Sequence, residues 1–217
     1  MKLTFLCAGN TFFQNPSDKI LMSKIRIFSY LPNPRVWKAV IAGKLCNVEV
    51  EVIGDKPKNL PNWLWDYDAR ILDEEEKQSS PHKLEGKRGF TGDLFKTSEF
   101  LNQHPFGTVP AAFVGENKIG VFESNSIMRA VTRMSSSTEL YEGKDSSLSS
   151  RIDSFLDANL VFSREHQVYI LSIENLNSYT YERMKSAYEF YLDGIELSLS
   201  TNKYICLLYT SDAADES

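Results

Sequence analysis

The stretch FLNQHPFGTVPAAFVGENKIGVFESNSIMRAVTRM, residues 100–134, decides the fold of this chain. It contains a Pro-Phe-Gly turn and a Val-Pro step, after which a short strand is predicted over Ala111–Val114. A second strand is predicted over Ile119–Phe122, beyond a turn that contains glycine. A helix is predicted to follow directly over 126–134, so the stretch as a whole predicts a ββα unit.

The junction between the second strand and the helix carries a carboxylate and a hydroxyl, those of Glu123 and Ser124. Backbone N–H groups are unpaired in the first turn of a helix, and the helix dipole is positive there. Such a junction can hold a small ligand that carries both an amine and a carboxylate. The same residues also suit an ordinary hairpin and helix, in which Ser124 or Asn125 is simply the N-cap.

The sequence before residue 54 predicts a βαβ unit. Ile25–Ser29 alternates as a strand, and Pro34 suits the first position of a helix. Arg35–Leu45 places its apolar residues on one side, as a core-facing helix does. The run VEVEVI, Val48–Ile53, alternates as a second strand. Together with the ββα unit, this predicts a thioredoxin-like domain over 22–136.

A long connection, residues 54–97, separates the two units and contains Trp63 and Trp65. Loops of this length are uncommon inside compact domains. We expect an inserted loop that is tethered to the domain by its tryptophans, while 73–89 is exposed. The tryptophans could instead line a substrate pocket or a partner interface.

The second half of the chain predicts an all-helical domain over 150–205, so the fold class is α/β followed by all-α. A linker is expected over 137–149, and the sequence from Ser150 to Asp153 has the form of a capping box that opens the first long helix. A second helix is predicted over 178–201. The helical domain is expected to be incomplete, because the chain departs from a helical pattern after residue 205.

Both ends of the chain are expected to be atypical. Residues 1–21 are expected to be a disordered or non-native leader, since Met22 opens directly onto the first strand. Residues 206–217 read like translated vector sequence and are expected to be a non-native tail, although a short native tail is the alternative.

Composition excludes several classes of function. A net charge of −5 with scattered basic residues gives no electrostatic footprint for nucleic acid. No run of 18 apolar residues is present, so no membrane-spanning helix is predicted. The 3 cysteines have neither metal-ligand spacing nor a CxxC pair, which predicts no metal site and favours free thiols in a reducing, cytoplasmic compartment.

The order Val109-Pro110, strand, turn, strand, Glu123-Ser124, helix resembles the glutathione-binding half of the glutathione transferase N-terminal domain. The resemblance extends over about 24–205. It implies that the Val109–Pro110 bond is cis and that the backbone of Val109 pairs with the cysteinyl part of glutathione. It also implies that Glu123 and Ser124 hold the γ-glutamyl end. Glutathione is the implied co-substrate, a hydrophobic small molecule the implied second substrate, and a homodimer the implied assembly.

Catalysis in this family needs the glutathione thiol held as a thiolate near neutral pH. The family places a Ser, Tyr or Cys just after the first strand for that purpose, and the matching residues are Tyr30 and Ser29. Tyr30 is favoured, because Ser29 can point away as part of the strand.

Thr108 departs from the family pattern. Many transferases carry Lys or Gln at this position, where the side chain can reach the glycyl carboxylate of glutathione. Thr108 is shorter and uncharged, so its contact would be weaker. His104, Gln103 or a residue of the long connection could compensate.

A non-catalytic function is the alternative to a glutathione transferase. The sequences YLPNPRVWKAVIAG, residues 30–43, and VFESNSI, residues 121–127, are similar to those of the translation elongation factor 1 gamma subunit. That subunit carries a transferase-like domain mainly as an assembly platform. This resemblance implies elongation factor subunits as partners and leaves catalysis open.

Overall fold

The computed structural model describes residues 2–3, 24–87, 89–135, 140–141, 146–202 and 205. These residues belong to two compact units, Met1–Ser137 and Thr138–Ser217. The strands are β1 (Lys2–Leu3), β2 (Lys24–Tyr30), β3 (Glu49–Asp55), β4 (Trp63–Trp65), β5 (Arg70–Ile71), β6 (Lys83–Glu85), β7 (Asp93–Lys96), β8 (Ala111–Val114) and β9 (Ile119–Phe122). The α-helices are α1 (Pro34–Cys46), α2 (Glu74–Ser79), α3 (Ser98–Gln103), α4 (Ser124–Arg133), α5 (Ser146–Leu171) and α6 (Ser178–Leu199).

Most of the predicted leader lies outside the described residues, and so does the whole predicted tail, 206–217. The two described residues of the leader form β1, which pairs antiparallel with β3.

A mixed sheet with the strand order β1-β3-β2-β8-β9 forms the centre of the first unit. Strand β2 runs parallel to β3 and antiparallel to β8, with Ile25 opposite both Val50 and Val114. The crossover from β2 to β3 is α1, which supplies the connection that parallel strands require. The predicted βαβ and ββα units are therefore both present, in the order of a thioredoxin-like domain.

Helices α1 and α4 cover one face of this sheet. Helix α1 begins where the Asn33 side chain accepts a hydrogen bond from the Arg35 N–H, and it ends at Asn47 in the left-handed conformation. Apolar residues from the two helices and the alternate positions of β2 meet in one buried cluster, which includes Ile25, Ile27, Val36, Ala39, Ala112, Ile127 and Val131.

The segment 54–97 covers part of the other face, and it is not the loop that the sequence predicted. It forms a second sheet with the strand order β5-β4-β7-β6. Trp63 and Trp65 are buried against Phe28 of the central sheet, with ring centroids 6.0 and 5.5 Å from it. The Trp65 indole N–H donates to the Leu60 carbonyl at 3.1 Å. The expectation that the tryptophans pack on the domain is confirmed, and the solvated part of the segment includes α2 and β6, which bury no residue.

Tyr67 joins this second sheet to the central one. The Arg26 guanidinium lies 4.4 Å from its ring centroid, and the Lys118 ammonium lies 4.0 Å from it. The Asp68 carboxylate lies 2.5 Å from Arg26 and 3.9 Å from Lys118. The ring quadrupole attracts both cations, so these contacts help to hold one end of the inserted segment on the central sheet.

The second unit contains α5 and α6, which pack against each other. The ring of Phe162 stacks on that of Tyr191 at 5.0 Å, and Arg183 pairs with Glu165 at 2.5 Å. Helix α5 begins at Ser146, inside the predicted linker, so the predicted capping box is wrong. Asp153 instead accepts a hydrogen bond from the Tyr141 hydroxyl at 2.7 Å. Among the described residues, none of the helices is both long and apolar enough to cross a bilayer.

Candidate functional site

Two loops meet at one end of the β8–β9 hairpin. The register places Ala111 opposite Phe122, so Val109 precedes the hairpin at the same end at which Ser124 follows it. The Val109–Pro110 peptide bond is cis, which is the geometry that the family resemblance implies. Within the described residues, neither the N–H nor the carbonyl of Val109 has a hydrogen-bond partner. An extended peptide could therefore pair with this backbone, as an added strand pairs with a sheet edge.

Glu123 has an unusual backbone conformation at the start of α4. Its φ of 65° and ψ of 126° lie outside the regions that a residue with a Cβ favours. Outliers of this kind cost on the order of 1–3 kcal/mol and cluster at ligand sites, where the surrounding structure enforces them. Glu123 is the N-cap, yet its side chain makes no capping hydrogen bond. The exposed carboxylate is thus available to a ligand.

Ser124 is the first residue of α4 and not its N-cap, so the interpretation of Ser124 or Asn125 as a plain cap is wrong. The residue is only 5% exposed. The hydroxyl of Ser124 has no hydrogen-bond partner in the part of the chain that the structure describes, and it is not among the fully enclosed unpaired polar atoms there, so a ligand could reach it. A hydroxyl at such a largely buried residue gains free energy when it is hydrogen-bonded. Together with the uncapped N–H groups of the first turn, it suits a carboxylate.

Lys38 of α1 adds positive charge at this helix N-terminus. Its ammonium donates to the Asn125 side-chain carbonyl. The pKa of Lys38 is lowered, first by burial and then by the charges of Arg35 and Arg129, whereas the Glu123 carboxylate raises it. The Lys38 ammonium is therefore a half-buried cation beside the first turn of α4, where its charge would favour an anionic ligand.

The two candidate catalytic hydroxyls lie on opposite faces of the central sheet. Ser29 is 0% exposed, and its hydroxyl accepts a hydrogen bond from the Asn33 amide at 2.9 Å. This burial disfavours contact between Ser29 and a ligand, so the catalytic role predicted for Ser29 has less support than that of Tyr30. Tyr30 is half-buried and packs against the same cluster as Val109. Within the described residues, the Tyr30 hydroxyl has no hydrogen-bond partner.

Thr108 is held from inside the domain by His104. The Thr108 N–H donates to Nε2 of His104 at 3.1 Å, and the imidazole stacks on the Phe122 ring at 4.6 Å. Burial lowers the pKa of His104, which keeps the ring neutral and Nε2 able to accept. His104 is 2% exposed, so it cannot compensate for Thr108 at a ligand. Gln103 is engaged as well, because its side-chain carbonyl accepts the Gly120 N–H at 2.8 Å.

Lys96 is the functional candidate that sequence reasoning did not single out. It is the last residue of β7, in the inserted segment, and its ammonium donates to the Gly107 carbonyl at 2.7 Å. The ammonium also lies 4.6 Å from the Trp65 ring centroid. Burial lowers the pKa of Lys96. The sequence predicted that a residue of the long connection could compensate for Thr108, but it did not indicate which residue. The proximity of Lys96 to the loop before Val109 is visible only in the three-dimensional structure.

Comparisons with known proteins give structural matches only. No protein-family model matches the sequence, and no curated protein matches it. A glutathione transferase of Bombyx mori is similar, with a TM-score of 0.54 and 14% identity over 84% of this chain and 69% of that one. The glutathione transferase URE2P6 of Phanerochaete chrysosporium, in complex with oxidized glutathione, has a TM-score of 0.55 and 15% identity, over 84% and 71% of the two chains. Ure2p in complex with glutathione has a TM-score of 0.52 and 14% identity, over 82% and 71%.

These matches establish the fold, which is that of the glutathione transferases: a thioredoxin-like domain followed by a helical part. At such low identity, the ligand and the chemistry have to be argued from the residues at the site. The resemblance to the elongation factor 1 gamma subunit stays a prediction from the sequence.

Proposed function

We propose that this chain binds glutathione at the end of the β8–β9 hairpin. The observation that carries the proposal is the uncapped first turn of α4, where the hydroxyl of the largely buried Ser124 has no partner in the described structure. A carboxylate would satisfy both the hydroxyl and the first N–H groups of the helix. One of the structurally similar proteins is in complex with glutathione and another is in complex with oxidized glutathione.

Each part of the peptide has a group that suits it. The α-carboxylate of the γ-glutamyl residue would accept from Ser124, while its ammonium would pair with the exposed Glu123 carboxylate. Lys38 would strengthen carboxylate binding by its charge, since interactions between charges weaken only as the inverse of their distance. The cysteinyl residue would form backbone hydrogen bonds with Val109, next to the cis bond to Pro110.

We further propose that Tyr30 stabilises the glutathione thiolate for transfer to a hydrophobic electrophile. A hydroxyl that donates to sulfur favours the anionic form and so lowers the pKa of the thiol. The thiolate lone pair then forms a bond to the electrophilic carbon, and the leaving group departs with its bonding electrons. A cytoplasmic homodimer belongs to this proposal as well.

A non-catalytic scaffold of the elongation factor 1 gamma type is the second candidate. The burial of Ser29 favours this second candidate, because Tyr30 is then the single accessible hydroxyl of the two candidates for stabilising a thiolate. A scaffold would retain glutathione binding without turnover, and elongation factor subunits would be its partners.

Calorimetric titration of reduced glutathione into the full chain tests the binding site. We expect a dissociation constant between micromolar and millimolar. Ser124→Ala should weaken binding by roughly 10- to 150-fold, since a hydrogen bond to a charged group contributes about 1.5–3 kcal/mol. Thr132→Ala is the matched control, because its hydroxyl lies on the same helix but is bonded to the Arg129 carbonyl at 2.9 Å. Absence of binding by a folded chain would refute the proposal.

Turnover of glutathione with an activated aryl chloride distinguishes the two candidates. We expect Tyr30→Phe to lower the rate of conjugation while it leaves the affinity for glutathione nearly unchanged. A wild-type chain that binds glutathione but conjugates no faster than free glutathione would favour the scaffold.

A further inference from the structure

The imidazole of His104 contacts both arms of the proposed glutathione site. Its Nε2 accepts a hydrogen bond from the Thr108 N–H at 3.1 Å, and Thr108 directly precedes Val109. The imidazole also stacks on the Phe122 ring, with the centroids 4.6 Å and the planes 9° apart, and Phe122 directly precedes Glu123. One side chain thus joins the loop that presents the Val109 backbone to the strand end that presents Glu123.

The backbone of His104 holds the same loop. His104 is the C-cap of α3, where its N–H donates to the Phe100 carbonyl at 2.8 Å. Its own carbonyl accepts a hydrogen bond from the Gly107 N–H at 2.8 Å. The loop 105–108 is therefore bound at Gly107 by the backbone of His104 and at Thr108 by its imidazole. Two such bonds at neighbouring positions order the loop before any ligand binds.

The hydrogen bonds also assign the tautomer of His104. Nε2 can accept the Thr108 N–H only when it carries no proton, so the proton of the neutral ring lies on Nδ1. The Thr108 hydroxyl, 3.1 Å from Nε2, fits this assignment because it can donate as well as accept. Nδ1 is buried and has no hydrogen-bond partner in the described part of the chain. Such an unpaired buried donor is unfavourable, so the bond from Thr108 to Nε2 is the contact that accounts for a histidine here.

Protonation of His104 would break this bond. With a proton on each ring nitrogen, Nε2 becomes a donor that faces the Thr108 N–H, which is a donor too. Burial lowers the pKa of His104, and the charge of the Lys96 ammonium lowers it as well. The ring also faces two uncharged side chains, Phe100 of α3 and Phe122 of β9, with centroids 5.9 and 4.6 Å away. His104 is therefore neutral at pH 7 and gains its proton only as the pH falls.

We propose that His104 is a positioning residue for glutathione binding, which holds the Val109 backbone, through Thr108, in the conformation that pairs with the cysteinyl residue. The proposal rests on the proposed glutathione site. His104 is 2% exposed, so it acts through Thr108 and not by contact with the ligand. A loop that is ordered beforehand need not be ordered by the ligand, and this increases affinity. Loss of the Nε2 acceptor, by substitution or by protonation, therefore weakens binding although every group that contacts glutathione remains.

Calorimetric titration of reduced glutathione at pH 7 into variants of the full chain tests the role of the acceptor. His104→Leu removes it and should weaken binding by roughly 2- to 12-fold, the range of one neutral hydrogen bond. His104→Gln provides an amide carbonyl in place of Nε2 and should leave the affinity nearly unchanged. Gln103→Leu is the matched control, because the neighbouring side chain accepts a different backbone N–H, that of Gly120. Its affinity should equal that of wild type.

The pH dependence of binding is a readout that a purely structural role would not change. Between about pH 7 and 5 the carboxylates of glutathione stay ionised and its thiol stays protonated. The affinity of wild type should fall over this range as His104 gains its proton. The affinity of His104→Gln should fall less, because glutamine has no proton to gain.

The outcomes separate this proposal from the proposed function. Unchanged affinity of His104→Leu, or equal weakening by His104→Leu and His104→Gln in variants that melt cooperatively, overturns the role of His104 and leaves glutathione binding intact. A wild-type affinity that falls with pH no more steeply than that of His104→Gln overturns it as well, and this comparison needs no leucine variant. If wild type does not bind glutathione at pH 7, the proposed function itself fails.

Discussion

Replacing Glu123 with glycine should stabilise the chain while it weakens glutathione binding. The conformation of Glu123, with φ 65° and ψ 126°, costs on the order of 1–3 kcal/mol in a residue with a Cβ. Glycine adopts it without steric conflict, but the greater freedom of glycine in the unfolded chain offsets about 0.5–1 kcal/mol of the gain. The net increase in the free energy of unfolding should therefore be about 0.5–2 kcal/mol.

Glu123→Ala separates the backbone from the carboxylate. Alanine retains the Cβ, and hence the backbone strain, but it loses the group that would pair with the ligand ammonium. The Glu123 side chain is exposed and makes no capping hydrogen bond, so its removal should change stability by no more than about 0.5 kcal/mol. Both variants should lose affinity for glutathione to the same extent, and only the glycine variant should gain stability.

Tryptophan fluorescence during thermal unfolding measures this difference. The 3 tryptophans all lie in the same unit as Glu123, so the signal follows the unfolding of that unit. A change of 1 kcal/mol shifts Tm by roughly 2–4 °C in a chain of this size, so the glycine variant should melt roughly 1–8 °C above the alanine variant. A glycine variant whose Tm is equal to or lower than that of the alanine variant would refute the inferred backbone strain at Glu123. Undiminished glutathione binding by either variant would refute the role of the carboxylate.

Three further predictions concern the contacts that position the site. Burial lowers the pKa of His104 below its usual 6.5, so the unfolded chain takes up the proton at a higher pH than the folded chain does. The stability that neutral His104 contributes is therefore present above about pH 6.5, and it is lost as the pH falls towards the folded-state pKa. His104→Gln keeps an acceptor for the Thr108 N–H and should reduce this loss, measured as urea midpoints between about pH 7 and 5. Tyr67→Leu should lower the free energy of unfolding, measured in urea, by about 1–2 kcal/mol, because it removes two cation–π contacts, while Tyr67→Phe should lower it little. Equal losses of stability in the two variants would contradict this role of the ring. Gly54→Ala should lower the free energy of unfolding by about 3 kcal/mol or more, because the new Cβ would lie 1.7 Å from the Ser29 carbonyl oxygen. A urea midpoint close to that of wild type would show that β2 and β3 can separate locally.

The hairpin of the central sheet could be predicted from the sequence to the residue. Its strands, Ala111–Val114 and Ile119–Phe122, are short apolar runs bounded by a proline and a turn, and both have the predicted bounds. Helix α4 begins two residues earlier than predicted, at Ser124. The reason is the positive φ of Glu123, which makes that residue the N-cap, and no propensity rule favours glutamate in this conformation.

The inserted sheet could not be predicted, because its order is non-local. Strands of two to four residues are too short to show a period of two, and the parallel pairing of β4 with β7 joins residues that are distant in sequence. The buried tryptophans indicated that the segment packs on the domain, but hydrophobicity alone does not specify which backbone pairs. The segment was assigned as a loop from the typical lengths of connections between secondary-structure elements. Those lengths apply to loops and do not indicate whether a long connection forms a sheet of its own.

Strand alternation bears on one part of the candidate site. Side chains at successive positions of β2 point to opposite faces, so Ser29 and Tyr30 cannot both face one ligand. The burial of Ser29 against Asn33 agrees with the preference for Tyr30, whose role stays a prediction. Lys96 was not predictable, since nothing in the local sequence DLFK indicates that the ammonium will lie against Gly107.

The inserted segment links the packing of the domain to the loop that leads to the cis bond. Trp65 is fully buried between Phe28 and Phe100, and it pairs in register with Lys96 across β4 and β7. The position of the Lys96 ammonium is therefore set by the same contacts that hold the inserted sheet on the central one. Weaker packing beneath the segment would displace the ammonium that binds the Gly107 carbonyl, whereas the groups proposed to bind the γ-glutamyl end belong to α4. Stability of the inserted sheet should thus affect the loop before Val109 more than it affects the proposed γ-glutamyl site.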